Sequence, residues 1–105
     1  MKQWNNSPYT LTISEESDPL YTLYYGSDVV MCTTSRGSEN PYDVCKRVVN
    51  NYLRYKCYNH WLNIMSLSGY DLDPHLEETW LEFMKSKFVV KLKILLADIQ
   101  EDLAS

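Results

Sequence analysis

The chain has 105 residues, of which 45% are hydrophobic and 23% charged, and a formal net charge of -4. That length holds one hydrophobic core and not two, and the composition is globular, which excludes a disordered chain. An acidic whole argues against a general nucleic-acid binder, because phosphate contacts need clustered positive charge.

The charge is unevenly spread. Residues 1–42 carry a balance of -3 and residues 60–105 a balance of -4. Between them, Asp43 stands against Lys46, Arg47, Arg54 and Lys56, a balance of +3 over residues 43–59. Residues 1–7 are polar and read as a flexible N-terminus without the apolar core of a secretory signal. No run approaches the roughly 18 apolar residues of a membrane span. Cys32, Cys45 and Cys57 are odd in number and lack C-x-x-C spacing. They read as reduced, mostly buried thiols, so a cytoplasmic location is expected.

Tyr9 to Ser14 alternates apolar and polar residues, as a half-buried strand does. Glu15 to Pro19 is a charged turn. Leu20 to Tyr25 is a second strand, rich in aromatic residues, and Gly26-Ser27 suits a two-residue hairpin loop. Asp28 to Thr34 is the third strand. A three-stranded antiparallel meander over residues 8–34 follows, one face of which needs a cover.

The cover is helical and spans residues 40–103. Asn40-Pro41 and Asp73-Pro74 both read as helix starts, with a capping side chain followed by proline in the first turn. The first helix buries Cys45, Val48, Val49, Tyr52 and Tyr55, with Leu53 at the margin. Beyond Cys57 its apolar residues change side, so a bend or break near residues 56–59, or a new neighbour for the second half, is expected. Gly69 suits the helix end.

Asp73 to Leu103 reads as one long helix with two apolar rows. Leu81, Met84, Phe88, Leu92, Leu95, Ile99 and Leu103 form the first, and we assign it to the core. Leu76, Trp80, Phe83, Val90, Ile94 and Ala97 form the second, interrupted by Lys87 and lying roughly 130° away. A helix that covers a sheet needs one row, so Trp80, Phe83, Lys87, Val90 and Ile94 are the candidate interface of a homodimer. The expected fold is α+β, in the order βββα(α)α, as a single compact domain over residues 1–105.

No constellation of reactive residues emerges. His60 and His75 have no nucleophile at a local spacing, and three scattered glycines build no phosphate loop. No enzyme activity, metal or cofactor is expected. Arg47, Asn51, Arg54 and Tyr58 form a row on the polar side of the first helix, suited to carboxylates or phosphates of a partner. Tyr21, Tyr24 and Tyr25 make the second strand a candidate binding face. Asp98, Glu101 and Asp102 form an acidic end that would steer a basic partner, such as a nucleic-acid enzyme.

In length, acidity, tyrosine and asparagine content, the chain resembles small inhibitory proteins of phages and mobile elements, anti-CRISPR proteins among them. It also resembles the acidic immunity proteins that neutralise nuclease toxins. The likeness is one of composition and implies a non-enzymatic protein that occludes a macromolecular partner, most often another protein. The competing expectations are a nucleic-acid-binding regulator using the basic face of the first helix, and a structural homo-oligomer subunit.

Overall fold

The structure, a computed structural model, describes residues 1–68 and 85–104, with side chains for 1–56 and 85–104. Four antiparallel strands run β1 (Lys2–Asn6), β2 (Tyr9–Ile13), β3 (Leu20–Tyr25) and β4 (Asp28–Thr34), and they lie in that order in one sheet. Two helices follow among the described residues, α1 (Pro41–Ser68) and α2 (Lys87–Ala104).

The expected three-stranded meander is therefore wrong by one strand, and the flexible N-terminus expected over residues 1–7 is largely that strand. Lys2-Gln3-Trp4-Asn5-Asn6 has a single apolar residue, too few for an alternation to be visible. Its pairing is made by backbone, with Lys2 opposite Ile13, Trp4 opposite Leu11 and Asn6 opposite Tyr9. Ser7 and Pro8, joined by a cis peptide bond, form the two-residue loop.

The other hairpin follows the sequence. Tyr25 pairs with Asp28, and Gly26 takes φ +61° in the intervening loop, a conformation closed to most side chains. Leu23 pairs with Met31 but Tyr24 pairs with Val29, so Val30 is an extra residue in β4. This bulge turns both Val30 and Met31 toward the core, where a regular strand would send one outward.

Both helices lie on the same face of the sheet, α1 over β3 and β4, α2 over β1 and β2, and they touch each other. The core between the layers joins Trp4, Tyr9, Leu11, Ile13, Tyr21 and Leu23 to Val44, Cys45, Val48, Val49, Tyr52 and Leu53 of α1, and to Val89, Leu92, Leu95 and Ile99 of α2. Full burial of side chains such as Leu11 and Leu23 stabilises by about 1.5–3 kcal/mol each.

Asn40 caps α1 as expected: the Asp43 backbone N–H donates to its side-chain oxygen at 2.9 Å, and its amide donates to the Asp43 carboxylate at 3.0 Å. The helix is unbroken through residues 56–59, so the change of side does not arise from a break. Tyr55 is 57% exposed and not part of the core. By that residue α1 has advanced about 21 Å from Pro41, as far as a short strand reaches.

The expected long helix from Asp73 is corrected too. Lys85 and Ser86 are turn and bend, and α2 begins at Lys87. The first helical bond runs from the Val90 N–H to the Ser86 carbonyl, which puts Ser86 in the capping position that serine favours. The period of the apolar row continues across that cap, so periodicity alone does not reveal it. The expected Asp73-Pro74 start and Gly69 end, with Leu81 and Met84, lie outside the described residues. Leu92, Leu95 and Ile99 are buried and Phe88 and Leu103 partly so, as assigned.

Candidate functional site

The loop from β4 to α1 is built around one carboxylate. Gly37 takes φ +56° and lets the chain turn so that the Glu39 N–H reaches the Arg36 carbonyl at 3.2 Å. The Glu39 side chain then closes the turn by accepting the Arg36 backbone N–H at 2.6 Å. Arg47, two turns into α1, donates to both oxygens of the same carboxylate, at 2.9 and 3.2 Å. Two more of its N–H groups donate to the Thr33 hydroxyl at 2.9 Å and the Thr34 carbonyl at 2.7 Å. These charge-assisted bonds, the Arg47 side chain first, hold the Glu39 carboxyl below the usual glutamate range.

Arg47 is thus a latch between sheet edge and helix, and its side chain is only 17% exposed. Beside it lies a groove of about 380 Å³ lined by Arg36, Asp43, Lys46, Arg47, Asn50, Asn51 and Arg54. Lys46 leans toward Asp43 at 3.7 Å and over the Tyr42 ring at 5.2 Å. Arg36 and Arg54 are exposed, and their guanidinium groups make no ion pair among the described residues. They are the free cations of the groove, with two asparagine amides between them.

The expected row Arg47, Asn51, Arg54, Tyr58 is therefore partly assembled. Arg47, Asn51 and Arg54 share the groove, while the Tyr58 side chain lies outside the described residues. The sequence reading missed Arg36 and Asn50. Arg36 belongs to a loop 18 residues before Arg54 and joins it only through the turn that Glu39 closes.

The aromatic strand is divided between the faces. Tyr21 is 4% exposed, so the expectation that it binds a partner is corrected: it lies under α1 on the inner face, between Ile13 and Thr33 in the sheet. Tyr24 is on the outer face and half-buried. Tyr25 is on the inner side and 49% exposed, edge-on to Tyr9 at 5.4 Å. With Tyr9, Tyr52, Lys56 and Phe88 it lines a small aromatic cleft of about 240 Å³. Burial first, then the hydrogen bond with Tyr52, raises the Tyr9 phenol far above its ordinary value.

The acidic residues also gather. Asp98, Glu101 and Asp102 surround Gln3 and Trp4 in an open groove of about 530 Å³ at the opposite edge of the sheet. Lys87, Val90 and Ile94 are exposed on α2; Trp80 and Phe83 lie outside the described residues. Of the cysteines, Cys45 is fully buried, and burial pushes its thiol up to about 12. Cys32 is exposed on the face of the sheet opposite the one that packs against α1 and α2, against the expectation of burial, because the side chains of that strand alternate between the faces.

Among the described residues no group of three His, Cys, Asp or Glu side chains is placed to hold a metal, and no helix is long and apolar enough to cross a membrane. No family model, curated protein or solved structure matches the chain.

Proposed function

We propose that this is a small non-enzymatic binding protein that inhibits another protein by occluding it, with the α1 groove as its contact surface. The observation that carries this reading is the pair of unpaired guanidinium groups, Arg36 and Arg54, held in one groove whose shape the Arg47–Glu39 latch fixes. Arginine forks bind carboxylates in two-point geometry, and a rigid groove loses little freedom on binding. An acidic segment of the partner fits best. A long nucleic-acid backbone would run beyond the groove over a chain that is acidic as a whole, while a short run of carboxylates can stay on Arg36 and Arg54, with Asp43 of the groove already facing Lys46.

The class of phage or mobile-element inhibitor, or of immunity protein, is the one the composition resembles, and occlusion is the mechanism such a surface supports. The test is a pull-down from the native host with the wild type and with Arg36→Glu/Arg54→Glu in parallel, read by mass spectrometry. A protein captured by the wild type and lost with the variant is the expected result. A nucleic acid bound with nanomolar, strongly salt-dependent affinity, or a protein captured equally by both, would overturn the assignment.

A further inference from the structure

The exposed face of α2 carries a charge order that its own helix does not explain. Lys87, Lys91 and Lys93 occupy its first two turns, and Asp98, Glu101 and Asp102 its last two. A helix has its positive end at the N-terminus and its negative end at the C-terminus, so both groups stand at the unfavourable end. Lys87 with Lys91, and Asp98 with Asp102, are in addition like-charged neighbours four residues apart. Two of the six are used within the chain: Lys91 donates to the Ser7 carbonyl at 2.8 Å and Asp102 accepts from Trp4 at 3.0 Å. Lys87, Lys93, Asp98 and Glu101 are exposed and make no ion pair among the described residues.

Between the two charged ends lies an apolar strip. Val90 is 47% and Ile94 49% exposed, and Ala97 continues them at helical spacing. Lys87, Ile94 and Glu101 stand seven residues apart, so a lysine and a glutamate flank Ile94 symmetrically, each two turns or about 10 Å away along the axis. A face with this symmetry is complementary to itself when reversed.

We propose that a second copy of this chain docks on this face, α2 against α2 and antiparallel, about a two-fold axis near Ile94. Ile94 then meets its own equivalent, Val90 of each copy lies against Ala97 of the other, and the lysine end of each helix lies against the acidic end of the other. The two helix dipoles are also opposed, which removes the electrostatic penalty each helix carries alone. A parallel pair would place lysine on lysine and acid on acid. The α1 groove lies over the other half of the sheet, so the dimer leaves it open, and the two proposals stand or fall separately.

The test is sedimentation equilibrium of the whole chain up to high micromolar concentration, with far-UV circular dichroism as a check on folding. The wild type is expected to be a dimer that weakens as salt rises. Ile94→Glu should give a folded monomer; Val90→Lys is the second variant if that one misfolds. Lys87→Glu alone and Glu101→Lys alone should each weaken the dimer about tenfold. In an antiparallel pair, mixing those two variants restores both charge contacts, so the mixture should dimerise more tightly than either variant by itself. The double variant Lys87→Glu/Glu101→Lys should likewise recover the wild-type affinity. A wild type that stays monomeric, or a dimer indifferent to the charge swap, would overturn the proposal.

Discussion

Trp4 and Asp102, 98 residues apart, meet at the edge of the sheet, where the indole N–H donates to the carboxylate at 3.0 Å. Two further bonds run alongside: the Asn6 amide donates to the Lys91 carbonyl at 2.7 Å, and the Lys91 ammonium to the Ser7 carbonyl at 2.8 Å. Strand β1 is therefore held from two sides, by the β2 backbone and by α2.

Removing the Trp4 side chain should be costly. Trp4→Ala is expected to destabilise by about 3–5 kcal/mol, as for other large buried aromatics, and Trp4→Phe by about 1 kcal/mol, mainly the lost hydrogen bond. Urea unfolding of the two variants measures both. A Trp4→Ala midpoint equal to that of the wild type would return residues 2–6 to the status of a loose lead.

The arginines of the groove should separate into two kinds. Arg47→Ala breaks the latch and should destabilise by about 1–2 kcal/mol, the range for partly buried charged hydrogen bonds. Arg36→Ala and Arg54→Ala should leave stability within about 0.5 kcal/mol of the wild type, because exposed side chains that form no ion pair among the described residues carry little of it. Thermal unfolding distinguishes them, and equal losses at all three sites would show that the groove is structural throughout.

The latch also has a pH signature. Because the folded Glu39 carboxyl titrates below its unfolded value, its contribution to stability is complete above the ordinary glutamate range and disappears as pH falls through the folded value. Carboxyl NMR should find Glu39 titrating below the ordinary glutamate range. In Arg47→Ala the Glu39 value should rise toward the ordinary one, and no movement would mean that Arg47 is not what holds it down.

The two faces of α2 should answer differently to truncation. Leu92 is fully buried, and Leu92→Ala should cost about 2–5 kcal/mol. Ile94→Ala, measured where the chain is monomeric, should cost less than about 1 kcal/mol. Equal losses would place both rows in the core.

Thiol labelling gives a test that needs no mutation. Cys32 should be alkylated in the native protein, and Cys45 only on unfolding, since its buried thiol is held protonated. Peptide mapping by mass spectrometry reads the order, and early modification of Cys45 would contradict its burial.

What was legible in the sequence depended on the kind of signal each element carries. β2 announces itself through alternation, β3 and β4 through aromatic and β-branched residues on either side of a glycine turn, and the start of α1 through an asparagine cap. Strand β1 does not, because its only buried side chain is Trp4 and its place comes from backbone pairing. The cap at Ser86 is hidden because apolar residues keep their spacing on both sides of it. In the groove, Arg47 and Arg54 are visible as a helical row, but a sequence cannot tell a latch from a free cation. That difference lies in Glu39, eight residues before Arg47 and outside the helix. Arg36 enters the site only by way of the same turn.

The bond between Trp4 and Asp102 also fixes an order of events during synthesis. At about 5–20 residues per second, a ribosome makes Asp102 some 5–20 s after Trp4. β1 can pair with β2 as soon as the first hairpin emerges, but the apolar side of that hairpin stays bare until α2 follows. For that interval the nascent hairpin exposes Trp4 and Leu11, both buried in the folded chain. A trigger-factor-type chaperone would find its longest-lived target in the first 25 residues, and translation stalled before α2 should leave a hairpin that aggregates.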